Sequence, residues 1–140
     1  EYYLEQKKVF NENELYYHLL MRKMVKKCNM TKATLLFFYK NSAECRKCDD
    51  QSFVLSDINE VDDDVGNQVA IFSFDMDLNL TTLDILEQYY GMEKYPCIVI
   101  DEKTHCGMQD KDYIIDLMCE SHPNLNICKE ENSGRFTFNW

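Results

Sequence analysis

Apolar residues along the chain follow two kinds of pattern. Three short runs, over 33–39, 69–74 and 97–100, are almost continuously apolar. Runs of this length are typical of strands that are buried on both faces of a sheet. Elsewhere apolar residues recur at spacings of three or four, which predicts amphipathic helices. The first of these helices is expected to begin near Asn11, because Asn11 and Glu14 have the spacing of a capping box.

Turn residues and helix caps divide the remainder of the chain into further elements. We predict a helix over 48–58, an acidic loop over 59–67, a helix from Thr81 or Thr82 that ends at Gly91, a turn and short strand over 103–107, and a helix capped by Asp110. The resulting order is helix, strand, helix, strand, helix, strand, strand, helix. Strands that alternate with helices predict an α/β domain with a central mixed four-stranded sheet, flanked by helices and extended by the N-terminal helix.

A chain of 140 residues is long enough for one compact domain. We predict an N-terminal helical extension over 1–30, the α/β domain over 31–120 and a tail over 121–140. In the last part of the tail, 136–140, aromatic and polar residues alternate. This alternation suits an edge strand or an extended peptide that binds a partner, and a frayed terminus is the alternative.

Composition and charge exclude several classes of function. The net charge of −10 argues against nucleic acid as a partner, because phosphate binding needs a basic surface. No apolar run reaches the ~18 residues of a membrane-spanning helix. Seven cysteines favour an oxidising compartment, so we expect an extracytoplasmic protein that is secreted, periplasmic-like or membrane-anchored. Since the first residue is Glu1, we expect a signal peptide or a membrane tether upstream of it.

The main chemical signal is the pair Cys45 and Cys48, which follows the first predicted strand and opens the next helix. Two intervening residues let the two sulfur atoms meet within one helical turn, as redox-active disulfides require. The unpaired N–H groups and the dipole of a helix N-terminus favour the thiolate form of Cys45. Arg46 and Lys47 add positive charge beside it, and Glu44 opposes them.

A second motif precedes the third apolar run, where Tyr90-Gly91 is followed five residues after the glycine by Pro96. This spacing resembles the segment that leads to the cis-proline of thioredoxins, in which a tyrosine-glycine pair ends a helix. With the Cys-x-x-Cys pair and the order of elements, the chain resembles the thioredoxin-like family, which includes protein-disulfide oxidoreductases, over about 31–119.

The resemblance implies a thiol–disulfide oxidoreductase that acts on protein thiols and disulfides and needs no cofactor. It implies that Cys45 is the nucleophile, that Cys48 resolves the mixed disulfide, and that Tyr95 and Pro96 line the substrate groove. It leaves the direction of the reaction and the oligomeric state open.

The chain also departs from the family pattern. Glu44 replaces the usual tryptophan, Arg46-Lys47 replaces the usual glycine-proline, and the strand over 33–39 contains no acid. These departures keep the alternative open, which is a redox-inactive thioredoxin-like binding or structural module with structural disulfides.

Four other cysteines are expected at the end of the sheet opposite the Cys-x-x-Cys pair, if the chain has the topology that the resemblance implies. They are Cys28, Cys106, Cys119 and Cys128. Our preferred disulfides are Cys28–Cys119 and Cys106–Cys128, although four cysteines allow three pairings and the others stay open. Cys97 is then left as a small buried core residue.

A zinc site is the alternative use of the same cysteines, with His105 or His122 as a further ligand. Structural zinc sites are typically built from short paired spacings such as two Cys-x-x-Cys units. Eight residues separate Cys97 from Cys106, and eight separate Cys119 from Cys128, so neither spacing fits that pattern. We therefore expect no metal, and we expect all three histidines, including His18, to be ordinary surface residues.

Overall fold

The computed structural model describes residues 1–28, 32–41, 43–78 and 80–129, without the side chains of residues 24, 25 and 28. Along the chain the elements are α1 (Tyr2–Cys28), β1 (Ala33–Tyr39), α2 (Arg46–Val65), β2 (Val69–Asp75), α3 (Thr81–Tyr90), β3 (Cys97–Ile100), β4 (Lys103–Cys106) and α4 (Lys111–Ser121). This is the order that the sequence pattern predicts.

The four strands form one mixed sheet in the order β2-β1-β3-β4. β1 runs parallel to β2, with Ala33 opposite Val69. β3 runs antiparallel to β1, with Phe38 opposite Cys97, and β4 returns antiparallel to β3, with Cys106 opposite Cys97. The predicted fold class, an α/β domain with a mixed four-stranded sheet, flanking helices and an N-terminal helix, is confirmed.

Two helices cover each face of the sheet. Successive residues of a strand point to opposite faces. Leu35 and Phe37 of β1 accordingly pack with α2 and α4, whereas Leu36 and Phe38 pack with α1 and α3. The end of the sheet at which β1 finishes and β3 begins is called the active end below. None of the helices in the described ranges is long and apolar enough to cross a membrane.

α1 begins at Tyr2, so the predicted start near Asn11 is wrong. Asn11 lies in the middle of the helix and is buried. Its Oδ1 accepts a hydrogen bond of 2.8 Å from the backbone N–H of Asp75, and its Nδ2 donates to the carbonyl of Lys7 at 2.9 Å. Because β2 is an edge strand, its outward N–H groups need partners. Asn11 therefore accepts a hydrogen bond from the edge strand β2 and does not cap a helix.

The acidic segment 59–67 is also different from the prediction, because α2 continues to Val65. The side chain of Asp62 is buried on the inner face of the helix, and its carboxylate accepts hydrogen bonds from the backbone N–H groups of Gln68 at 2.8 Å and Val69 at 2.9 Å. This carboxylate joins the end of α2 to the start of β2. The predicted loop is reduced to the three residues between them.

The other helix ends follow the predictions in part. α3 starts at Thr81, but its N-cap residue is Leu80 and no side chain caps it, so the predicted threonine cap is wrong. Gly91 ends α3 in the left-handed conformation, with φ 66°, as predicted. Asp110 caps α4 as predicted, because its carboxylate accepts a hydrogen bond of 2.8 Å from the N–H of Tyr113.

The aromatic segment 136–140 lies outside the described residues. The division into an extension over 1–30, a domain over 31–120 and a tail over 121–140 stays a prediction. α1 packs along β2 and on the same face of the sheet as α3, so the first segment makes contact with the α/β unit.

Candidate active site

A tight turn after β1 places Cys45 at the start of α2. The carbonyl oxygen of Asn41 accepts hydrogen bonds of 2.9 Å from the N–H groups of both Glu44 and Cys45. The N–H of Asn41 itself donates to Oδ2 of Asp77 at 2.7 Å, which ties this turn to the segment after β2. Cys45 is the N-cap residue of α2, and its carbonyl accepts the N–H of Cys48 at 3.1 Å. The site thus lies where β1 passes into α2.

Cys45 and Cys48 form a disulfide, with their Cα atoms 5.3 Å apart. Cys45 is 8% exposed and Cys48 is 2% exposed, so Cys45 is the more accessible of two buried residues. The roles that the resemblance implies, an attacking Cys45 and a resolving Cys48, stay predictions. The exposed area of Cys45 is nevertheless small, and a partner must approach the N-terminus of α2 closely to reach it.

The charge around the disulfide has two sources. Cys45 is the N-cap residue of α2, and its side chain makes no capping hydrogen bond. The unpaired N–H groups and the positive end of the dipole of α2 lie at this position. The exposed side chains near it are of mixed sign: Arg46 and Lys47 are basic, whereas Glu44 and Asp49 are acidic. Exposed charges are screened by solvent and salt. The helix terminus is therefore the more constant contribution to a thiolate at Cys45.

Tyr95 and Pro96 lie at the start of β3, and the peptide bond between them is cis. The hydroxyl of Tyr95 donates a hydrogen bond to the carboxylate of Glu87 in α3. Burial, and then the hydrogen bond to Glu87, raise the pKa of Tyr95 well above its ordinary value, so the phenol remains neutral. The ammonium group of Lys40 lies 5.2 Å from the centre of the Tyr95 ring. Tyr95 is half-buried and Pro96 is buried.

The sheet register brings these two segments to the same end. Phe38, next to the last residue of β1, is opposite Cys97, which directly follows Pro96. The carbonyl of Pro96 accepts a hydrogen bond of 2.8 Å from the N–H of Gly107, at the end of β4. The strands β1, β3 and β4 therefore fix the turn that leads to Cys45 and the Tyr95–Pro96 segment at the active end.

The other disulfides differ from both predicted pairs. The structure contains Cys97–Cys106 and Cys119–Cys128, so Cys28–Cys119 and Cys106–Cys128 are wrong, and so is the expectation of a free Cys97. The reason for the first error is the β3–β4 hairpin, because β4 carries Cys106 back to the active end, directly opposite Cys97. The side chain of Cys28 lies outside the described residues.

The second error concerns the segment after α4. A turn after His122 folds the chain back, with the N–H of Leu125 donating to the carbonyl of His122 at 3.2 Å. Leu125, Ile127 and Cys128 are then buried in the core beside α2 and α4. This return places Cys128 next to Cys119, with Cα atoms 5.7 Å apart. The pairing of Cys119 with Cys128 therefore follows from a local turn and not from a contact between distant parts of the chain.

Comparisons with known proteins support the fold and no more. No protein-family model matches the chain. No curated protein matches it either. Among solved structures, thioredoxin-2 of a malaria parasite, described as a component of that parasite's protein secretion machinery, is similar with a TM-score of 0.50 and 17% identity, and the match covers 64% of this chain and 82% of that one. The fold is thioredoxin-like. A chain described only as a malarial protein has a TM-score of 0.49 and 17% identity, over 65% of this chain and 97% of its own length.

The thioredoxin-like core also contains a polar pair that the sequence analysis missed. Gln51, three residues after Cys48, is fully buried in α2. Its Nε2 donates to the carbonyl of Gln109 at 3.1 Å, and its Oε1 accepts the N–H of Gln109 at 2.8 Å. The side chain of Gln109 in turn donates to the carbonyls of Cys106 at 3.4 Å and Gly107 at 3.2 Å. These hydrogen bonds join α2, which carries Cys48, to the backbone of Cys106 in the Cys97–Cys106 disulfide.

A signal for this pair was present in the sequence. Gln51 continues the spacing of the inward residues of α2, which also include Cys48, Leu55 and Ile58. A polar residue within an apolar stripe needs a hydrogen-bond partner once it is buried. That spacing identifies Gln51 as a residue of interest, but it does not identify Gln109 as the partner.

The histidines do not form a metal site in the part of the chain that the structure describes, where no group of three or more potential ligands occurs. His105 packs edge-on against Tyr113, with ring centres 5.9 Å apart, and His122 lies 2.9 Å from Oδ1 of Asp101. His18 is 5% exposed, so the expectation of a surface residue is wrong for it. It points to the sheet and packs edge-on against Phe72 at 5.4 Å.

Proposed function

We propose that this protein is a thiol–disulfide oxidoreductase that acts on protein thiols and disulfides through Cys45 and Cys48. The observation that carries the proposal is the position of the Cys45–Cys48 disulfide at the N-terminus of α2, at the same end of the sheet as Tyr95 and Pro96. A helix N-terminus stabilises a thiolate, which is the nucleophile and the leaving group in disulfide exchange.

The reaction is a pair of exchanges that conserve electrons. In the oxidising direction, a substrate thiolate attacks Sγ of Cys45, the Cys45–Cys48 bond breaks, and Cys48 leaves as a thiolate. A second substrate thiolate then attacks the substrate sulfur of the mixed disulfide, which forms the substrate disulfide and releases Cys45 as a thiolate. The two electrons lost by the substrate remain in the two cysteines. The reducing direction is the reverse sequence.

The exposure of the two cysteines suits this division of roles. Attack on Sγ of Cys45 needs access to that atom, and Cys45 is the more exposed member of the pair. Cys48 is buried in α2, so we propose that it reacts with Cys45 and not with the substrate. We assign Tyr95 to the edge of the substrate groove, because its ring is half-buried and is held by Glu87. We assign Pro96, the next residue, to the same groove; it is buried.

The partners and the compartment belong to the same proposal. Three disulfides in one small domain persist best in an oxidising environment, so we propose an extracytoplasmic location. A membrane tether upstream of residue 1 is compatible with this location. The substrates are protein thiols and disulfides, and the net charge of −10 argues against nucleic acid as a partner.

The test is the reduction potential of Cys45–Cys48, read by alkylation and peptide mass spectrometry across a series of glutathione redox buffers. Cys119–Cys128 in the same sample is the control, because it lies at the opposite end of the molecule. A potential between about −120 and −270 mV for Cys45–Cys48, the range of known catalysts, is the expected result. A pair that stays oxidised below about −300 mV, like the control, contradicts the proposal.

The second candidate is a redox-inactive module that binds a partner through its surface. The observation in its favour is the burial of both cysteines, since Cys45 is only 8% exposed. On this hypothesis Cys45 reacts with iodoacetamide only after unfolding, even when the disulfide has been reduced. Alkylation of the reduced native protein at Cys45 but not at Cys48 supports the oxidoreductase and contradicts the module.

A further inference from the structure

α1 has a row of exposed apolar side chains on the side that faces away from the sheet. The outer stripe, as we call it, consists of Tyr2, Val9, Tyr16 and Leu20, and each of these side chains is exposed, Val9 at 54% and Tyr16 at 60%. The spacing of seven residues between the first three is typical of a helix that packs against another helix. The inner face of α1 is already occupied, because it packs on the sheet. Within the described residues the outer stripe has no partner.

A shallow groove of about 410 Å³ lies along the second half of α1. Its apolar part is formed by Tyr16, Leu19 and Leu20, and its rim by Arg22, Lys23 and Lys26. Arg22 is paired with Glu102 at 2.9 Å. Among the described residues, Lys23 and Lys26 have no acidic partner, and both are exposed. The groove therefore suits a segment that is both apolar and acidic.

The first half of α1 has these properties. Tyr2 and Val9 supply exposed apolar surface, and Glu5 and Glu12 are exposed acids on the same side of the helix. Glu5 makes one weak intrahelical contact, 3.9 Å from Lys8. The two halves of α1 are thus complementary in charge and alike in apolar character. A helix with this polarity matches a second copy of itself in the antiparallel direction.

We infer that two copies of this chain associate through their outer stripes, with the two α1 helices antiparallel. In a pair centred on residue 14, Glu5 faces the partner's Lys23, and Val9 faces the partner's Leu19. The apolar first half of each helix lies over the groove of the other. A helix of 27 residues is about 40 Å long, which gives two such contacts on one twofold axis.

The charge of the chain as a whole favours this face over others. α1 carries six basic and three acidic residues, whereas the complete chain has a net charge of −10. Two chains that approach through other surfaces bring acidic groups together. The α1 faces meet without that repulsion. The same net charge disfavours an anionic lipid surface as the occupant of the stripe.

The experiment is sedimentation velocity of the full chain over a series of concentrations, with charge reversals at the predicted contact. Glu5→Lys alone and Lys23→Glu alone are each expected to weaken dimerisation about tenfold, because each change places like charges at two symmetric positions. The double variant Glu5→Lys with Lys23→Glu is expected to restore the affinity. Glu60→Lys in α2 and Lys111→Glu in α4, on the face of the sheet opposite α1, are matched controls and are expected to have no effect.

Several outcomes overturn the inference. A chain that stays monomeric at every concentration does so, as does a double variant that remains as weak as the single ones. The Cys28→Ser variant is measured as well, because a disulfide between two Cys28 residues would need the two α1 helices to be parallel. A dimer that disappears with this substitution contradicts the antiparallel arrangement. Flotation of the monomer with vesicles that contain phosphatidylserine assigns the stripe to lipid. Circular dichroism confirms that each variant remains folded.

Discussion

Two hydrogen bonds join the side-chain amide of Gln51 to the backbone of Gln109: Nε2 donates to the carbonyl of Gln109, and Oε1 accepts from its N–H. They are 58 positions apart, and they connect α2 with the turn that precedes α4. Because Gln51 lies one turn after Cys48, and Gln109 also contacts the carbonyls of Cys106 and Gly107, the pair joins the candidate active-site helix to the hairpin behind Pro96. One buried and one half-buried glutamine thus connect the Cys45–Cys48 disulfide to the strands that follow the Tyr95–Pro96 segment.

Replacement of Gln51 by methionine should therefore destabilise the fold although the side-chain volume is preserved. The substitution removes two hydrogen bonds to the backbone of the half-buried Gln109, and a hydrogen bond of this kind contributes about 0.5–1.5 kcal/mol. Urea unfolding measures the loss, and Ser56→Ala, at an exposed position of α2, is the control. An unfolding free energy equal to that of the unaltered chain contradicts the importance of this pair.

The Cys48→Ser variant should accumulate a mixed disulfide at Cys45. When a substrate sulfur is joined to Cys45, the resolving thiolate is missing and the intermediate cannot be released by exchange within the pair. Incubation with an oxidised model protein, followed by non-reducing electrophoresis and mass spectrometry, detects the adduct. Cys45→Ser is the control, since its remaining Cys48 is buried. Equal adduct formation in both variants contradicts the separate roles assigned to the two cysteines.

The disulfide connectivity can be read from a tryptic digest of the alkylated, unreduced protein. Trypsin cleaves after lysine and arginine, so Cys97–Cys106 links peptide 95–103 to peptide 104–111. Cys119 and Cys128 lie together in peptide 112–129, which is expected to be two hydrogen atoms lighter than its reduced form. A peptide 28–32 joined to 112–129 supports the earlier sequence-based pairing and contradicts the structure.

Removal of the Cys119–Cys128 disulfide should cost about 2.5–3 kcal/mol, since the bond closes a short loop. The double variant Cys119→Ala with Cys128→Ala is compared with the unaltered chain by thermal and urea unfolding. The activity at Cys45 should be unchanged, because this disulfide joins the last turn of α4 to the segment after it, away from the active end. A loss of activity in a variant that remains folded contradicts that separation.

The pKa shifts of Tyr95 and His18 predict opposite dependences of the unfolding free energy on pH. The pKa of Tyr95 is raised by burial and by Glu87, so its contribution is complete below the ordinary tyrosine pKa of about 10 and is lost as the pH rises through the higher folded value. The pKa of His18 is lowered by burial and by Arg22, against a smaller opposing effect of Glu102. Its contribution is complete above a pH of about 6.5 and is lost as the pH falls through the lower folded value.

The two effects can be measured separately by urea unfolding as a function of pH. Tyr95→Phe should remove part of the alkaline loss of stability and leave the acid side unchanged. His18→Phe should remove part of the acid loss, because a phenyl ring against Phe72 carries no charge at any pH. If His18→Phe leaves the acid side of the profile unaltered, burial of this ring is not the cause of the acid sensitivity.

The order of elements could be read from the sequence because each element depends on local chemistry. The apolar runs that became β1, β2 and β3 need burial on both faces, and Gly91 and Asp110 end or begin helices through contacts within a few residues. The Cys-x-x-Cys spacing is equally local, because one helical turn is enough to join Cys45 and Cys48. For the same reason the candidate site could be identified before the structure was known.

Tertiary structure decided what depends on residues distant in the chain. The start of α1, the side chain of Asn11 and the length of α2 follow from contacts with β2, which no local pattern contains. The partner of Cys97 depended on the return of β4, and the burial of Gln51 depended on the position of Gln109. Long-range pairing is selected by how helices and strands fit together in space, so a sequence determines these contacts only through the complete fold.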